Sequence, residues 1–72
     1  MKRKVELLDV VELRDARGGL PAGTVGAVVE LFATEALVEI TDDSGATIEL
    51  LSVPYEELRV RSSETAARRA VR

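Results

Sequence analysis

Residues 23–31, Gly-Thr-Val-Gly-Ala-Val-Val-Glu-Leu, constrain the fold of this chain more than any other stretch. Val25, Ala27, Val29 and Leu31 alternate with Thr24, Gly26, Val28 and Glu30, the period of a strand rather than of a helix. Gly26 stands inside that run. A glycine there weakens a strand intrinsically and marks a bulge, a sharp bend or a close approach of another backbone. The stretch therefore reads as a buried, twisted strand beside which the others are laid.

The flanking sequence supplies those others. Residues 5–14 combine Val and Leu with acids at about every third position; paired β-branched residues and the Gly/Pro cluster that follows favour a strand over a helix. Leu7, Val11 and Leu13 then form its inner face, with Asp9 as an intruder near an open edge. Residues 15–22 are a loop, because Gly18-Gly19 permits positive φ and Pro21 removes a donor. Phe32 to Glu35 make a short connection, and residues 36–41 alternate again with Ala36, Val38 and Ile40 on one face. Asp42-Asp43-Ser44-Gly45 is a hairpin turn with glycine at its left-handed position. Residues 46–53 return as a strand. Pro54 opens one helical turn with Glu56 and Glu57 at its positive end, and residues 58–61 form a last strand.

Five short strands, a long first loop, a tight hairpin between the third and fourth, and a helical turn before the fifth predict an all-β fold. The order is that of a small SH3-like five-stranded barrel over residues 5–61, closed on itself to remove exposed edges. Its expected core is Val11, Leu13, Val25, Val29, Leu31, Val38, Ile40, Ile48, Leu50 and Leu58. Residues 1–4 are a basic N-terminal end, and residues 62–72 a flexible or weakly helical basic tail. Seventy-two residues suffice for one domain and no more.

Four segments, LLDVVEL (7–13), GLPAGTVGAVVEL (19–31), ALVEITDDSGATIEL (36–50) and PYEELR (54–59), together resemble the small bacterial family catalogued as domain of unknown function 4926. The resemblance covers nearly all of residues 7–60. It implies an SH3-like barrel and brings no established activity. The spacing Gly23-x-x-Gly26-x-Val28 is also similar to the glycine-bearing turn of KOW-type barrels, a likeness of fold alone.

Chemistry is scarce. The chain has no His and no Cys, and its only lysines are Lys2 and Lys4, so the usual bases, nucleophiles and metal ligands are missing. The adjacent acids Asp42/Asp43 and Glu56/Glu57 do not converge as a catalytic pair. The hairpin turn offers too few oxygens for Ca²⁺. The glycine loop lacks the Gly-Lys-Ser/Thr ending of a phosphate loop. No catalysis, cofactor or metal is expected.

Charge points elsewhere. Residues 1–4 carry +3, residues 61–72 carry +3, and residues 5–60 set three arginines against twelve acids, giving −9. An acidic body disfavours nucleic acid, and Phe32 and Tyr55 are the only aromatics for base stacking or for a proline-peptide groove. Tyr55 instead fits a half-buried cap with its hydroxyl in water. The chain is expected to act by occupying a surface of another protein, as an accessory subunit or as an antitoxin- or immunity-like inhibitor. The candidate face is Glu30, Glu39, Asp42, Asp43, Glu49, Tyr55, Glu56 and Glu57. The alternative is a nucleic-acid-associated KOW-like module using Lys2-Arg3-Lys4 and Arg68, Arg69 and Arg72. No apolar run approaches the ~20 residues that span a bilayer. Glu6, Asp9 and Glu12 are incompatible with a signal-peptide core. Absence of cysteine makes the cytoplasm the expected location, and self-association stays open.

Overall fold

A computed structural model describes residues 5–62. The chain is all-β: β1 (Val10–Leu13), β2 (Val25–Leu31), β3 (Glu35–Thr41), β4 (Thr47–Pro54), a 3-10 turn (Tyr55–Glu57) and β5 (Leu58–Ser62). All ladders are antiparallel, in the order β4-β3-β2-β1-β5. This order, with the 3-10 turn before the last strand, is compatible with the expected SH3-like barrel. β4 and β5 share no ladder, so hydrogen bonding leaves the sheet open between them. The tail expected over 62–72 begins in β5 at Ser62, while residues 1–4 and 63–72 lie outside the described residues.

The first loop bridges that opening. Arg14 donates from its backbone N to the Glu57 carbonyl (3.0 Å) and from Nε to the Leu58 carbonyl (3.3 Å). Arg17 reaches the Ser52 carbonyl of β4 (3.5 Å) and pairs with Glu57 (2.9 Å). Arg17 and Leu20 exchange two backbone hydrogen bonds of 2.9 Å around Gly18-Gly19. The φ values of 60° and 83° at those glycines are the left-handed pair that a two-residue hairpin requires.

β3 sets the inner face. Ala36, Val38 and Ile40 are all buried, and their partners on β2 and β4 must share that face. The ladder pairs Val38 with Val28 and Leu51, and Ala36 with Leu31 and Val53. The core is therefore Val5, Val11, Leu13, Val28, Ala36, Val38, Ile40, Val53 and Leu58, with Leu20, Leu31, Leu51 and Tyr55 packed against it.

Several core expectations are corrected. Val11, Leu13, Val38, Ile40 and Leu58 are buried as expected, and Leu31 packs on the core. Val25 is 38% exposed, and Ile48 and Leu50 are both 54% exposed. Val29 is only partly buried, because a register shift between Val28 and Glu30 places it as an extra residue in the ladder. That shift turns Val28 inward ahead of it and Leu31 inward after it. In β4 the register pairs Glu49 with Ile40 and Leu50 with Glu39, which sends Leu50 to the outer face and Leu51 and Val53 inside.

The predicted first strand also begins later than expected. Residues 6–9 form a turn: Asp9 N donates to the Glu6 carbonyl (3.1 Å), and Glu6 N donates to Asp9 Oδ2 (2.8 Å). Leu8 takes a φ of 69°, uncommon for a bulky residue, held by its own N–H on the Val28 carbonyl (2.8 Å). Asp9 is thus a buried turn residue rather than an edge intruder, and Leu7 is exposed.

Gly26 faces inward opposite Val11. A Cβ built on it would lie 2.6 Å from Val38 Cγ1, 2.6 Å from Ile40 Cδ1 and 2.7 Å from the Glu39 carbonyl oxygen. The space a side chain needs is already filled, in part by backbone that cannot move aside. Gly26→Val should therefore cost about 3 kcal/mol, at the upper end for overpacking. In a domain of this size that lowers the melting temperature by more than about 10 °C. A variant that melts with the parent would refute the close approach. The corrected core makes a second contrast. Val28→Ala should cost about 2 kcal/mol in denaturant unfolding, whereas Leu50→Ala should stay within about 0.5 kcal/mol. The reverse order would restore the alternation first read from the sequence.

Candidate interaction face

Residues 18–58 contain eight acids, Glu30, Glu35, Glu39, Asp42, Asp43, Glu49, Glu56 and Glu57, and no lysine or arginine. The fold gathers this stretch into β2, β3, β4 and the 3-10 turn. The described arginines lie in the first loop and on β5, and Arg17 of that loop reaches across to Ser52 and Glu57. Arg59 and Arg61 both lean on Glu12 of β1, at 3.4 Å and 3.6 Å. The surface thus runs from a net positive cluster at β5, where two arginines share one carboxylate, to negative charge at β2–β4.

The register places the expected residues individually. Glu30 and Glu39 stand on the outer face, opposite Leu37 and Leu50 respectively. The Thr47 hydroxyl donates to Glu39 Oε2 across the hairpin. Asp42 and Asp43 form the β3–β4 turn and are exposed. Glu49 shares the inner side with Ile40, yet is exposed at the open end of the sheet. These five lie on or beside one hairpin.

The other three lie at the opposite end of β4 from the turn, the end to which Glu30 is nearer. Tyr55, Glu56 and Glu57 follow β4 at its far end, roughly 23 Å along the strand at about 3.3 Å per residue. Glu57 is engaged by Arg17. Tyr55 is half-buried and donates its hydroxyl to the Phe32 carbonyl, so the expected open cap with its hydroxyl in water is corrected to a tie between the 3-10 turn and the end of β2. Missing from the sequence-derived face were its apolar members, Val25, Ile48 and Leu50, all exposed and all first assigned to the core. Adjacent Leu50 and Leu51 gave the only available signal, since one of two neighbours on a strand must face outward.

The hairpin turn is pre-ordered by one carboxylate. Asp42 Oδ1 accepts from Ser44 N (2.9 Å), Ser44 Oγ (2.7 Å) and Ala46 N (3.0 Å), and Gly45 N donates to the Asp42 carbonyl (3.0 Å). The Ser44 hydroxyl bond first, and then the backbone N–H groups, hold the Asp42 carboxyl below its ordinary 3.8. A carboxylate so stabilised is a weak proton acceptor and suits a fixed negative charge. Among the described residues, no group of three or more acids is placed to hold a metal ion.

Because the folded pKa of Asp42 lies below its unfolded value, its contribution to stability is complete above the unfolded value. It is lost as pH falls through the folded one. A carboxyl-detected NMR titration should show Asp42 titrating below 3.8, and Ser44→Ala should move it upward. A midpoint unchanged by Ser44→Ala would show that the hydroxyl bond does not set it.

Among the described residues no helix is long and apolar enough to cross a membrane. No curated protein and no solved structure matches the chain. A family model does, over residues 7–60, the span of the resemblance read from the four segments. The chain belongs to the family described as Domain of unknown function (DUF4926).

Proposed function

We propose that the protein is a non-catalytic interaction module that engages a basic protein partner through the β3–β4 hairpin and the outer face beside it. One observation carries this reading: the acids of residues 18–58 have no cation among them, and Glu30, Asp42, Asp43 and Glu49 are exposed. Unopposed charge of one sign speeds and orients association with a surface of the other sign. The pre-ordered turn reduces the ordering cost of binding. An antitoxin- or immunity-like inhibitor, covering the basic cleft of a nuclease-type enzyme in the cytoplasm, is the form this reading takes first. An accessory subunit is the other.

The nucleic-acid alternative draws no support from the described arginines. Arg17 is paired with Glu57, Arg59 and Arg61 share the one carboxylate of Glu12, and Arg14 is bonded to the Leu58 carbonyl, so at most one positive charge is left over. It would rest on the chain ends, outside the described residues.

The product of the neighbouring gene should co-purify at about 50 mM salt and dissociate near 0.5 M, where screening shortens to a few ångströms. The double variant Asp42→Lys/Asp43→Lys should lower that capture by about tenfold or more. No co-purification, together with a neighbouring gene harmless when expressed alone, would remove the inhibitor form. A DNA or RNA mobility shift at ~50 mM salt, where electrostatic binding is strongest, would instead favour the alternative.

A further inference from the structure

The outer face of β2–β4 is not merely acidic. Cross-strand pairing lines up Val10, Ala27, Glu39 and Leu50 in one row over four strands. The neighbouring row holds Glu30, Leu37 and Ser52. Leu37 and Leu50 are therefore diagonal neighbours on one face, within reach of each other's side chains. Val25 lies two residues from Ala27 on the same face. Leu50 is 54% exposed and Val25 38% exposed, although the core already has its full set of aliphatic residues on the opposite face. An apolar strip over Val25, Ala27, Leu37 and Leu50 thus runs between two carboxylates, Glu30 and Glu39.

We propose that this strip docks a cationic amphipathic segment of a partner protein, with aliphatic side chains on Leu50, Leu37 and Ala27 and Lys or Arg reaching Glu30 and Glu39. The inference rests on the acidic-face reading above and adds the apolar anchor and the kind of segment. Charge complementarity selects the occupant. A second copy of this chain would bring the same acids against Glu30 and Glu39, whereas an anionic lipid surface would be repelled by them. Uniformly basic segments satisfy the acids but leave Leu50 and Leu37 in contact with water. A segment with one apolar and one basic side satisfies both, the mode in which amphipathic helices lie in apolar grooves.

The full chain should be titrated with three synthetic peptides: an amphipathic Leu/Lys helix of about 14 residues, a peptide of the same composition with its apolar face scrambled, and oligolysine. At about 50 mM salt the amphipathic peptide should bind and shift the amide resonances of Ala27, Leu37 and Leu50. It should bind about tenfold more tightly than the other two, and Leu50→Ser should remove that advantage. Leu50 is exposed, so the variant should retain the parent's circular dichroism and melting temperature. If all three peptides bind equally and Leu50→Ser changes nothing, the apolar anchor is wrong while the acidic face stands. If none binds, both readings fall. Shifts confined to β1 and β5 would overturn the location.

Discussion

The whole fold turns on the missing side chain at Gly26. Where β2 pairs beside β3, Val38, Ile40 and the Glu39 carbonyl fill the position a Cβ would occupy, at 2.6–2.7 Å. The two strands and their aliphatic residues close to van der Waals contact there. With Phe32 exposed and Tyr55 only packed against its margin, the buried core is built from aliphatic residues alone. Its largest fully buried side chains are Leu13 and the valines 11, 28, 38 and 53. Small residues pack to interior density only if the backbones approach closely. Gly26 is the condition for that approach at this point of the sheet.

The elements were legible in the sequence, and the faces of two strands were not. β3 alternates between Ala36, Val38, Ile40 and the outward Glu35, Leu37, Glu39 and Thr41, of which only Leu37 is apolar, so its inner side could be read directly. β2 has apolar residues on both sides, at Val25 and Ala27 as well as at Val28. Its parity is settled only by the extra residue at Val29 and by register against Val38. β4 poses the same ambiguity through Leu50-Leu51. A slip of one residue exchanges inside and outside over a whole strand, so a small uncertainty in register became a reversal of three assignments. The turn at residues 6–9 was hidden for another reason. Nothing in Leu7-Leu8 announces a left-handed residue, and only the Val28 carbonyl and the Asp9 carboxylate impose it.

The candidate site was legible in the same proportion. That the body is acidic follows from counting. That five of the acids assemble around one hairpin, while Glu56 and Glu57 stand at the other end of β4, needs the topology. The same reversal that corrected the core enriched the site: Ile48 and Leu50, released from the interior, became the apolar part of an acidic surface. Contiguous exposed apolar residues rimmed by charge are the surface composition that marks interaction sites in other proteins.

Arg17 has a role beyond its ion pair. β4 is an edge of the sheet, and an unpaired edge is a template on which another chain's strand can grow. The guanidinium occupies the Ser52 carbonyl, Gly18 brings the first loop against Leu51, and an extra residue near Ile48 breaks the regular ladder further along. The accessible run of edge is thereby cut short, beside side chains as sticky as Ile48 and Leu50. The loop that bridges the open side of the sheet thus also shortens the stretch of β4 edge on which another strand could pair.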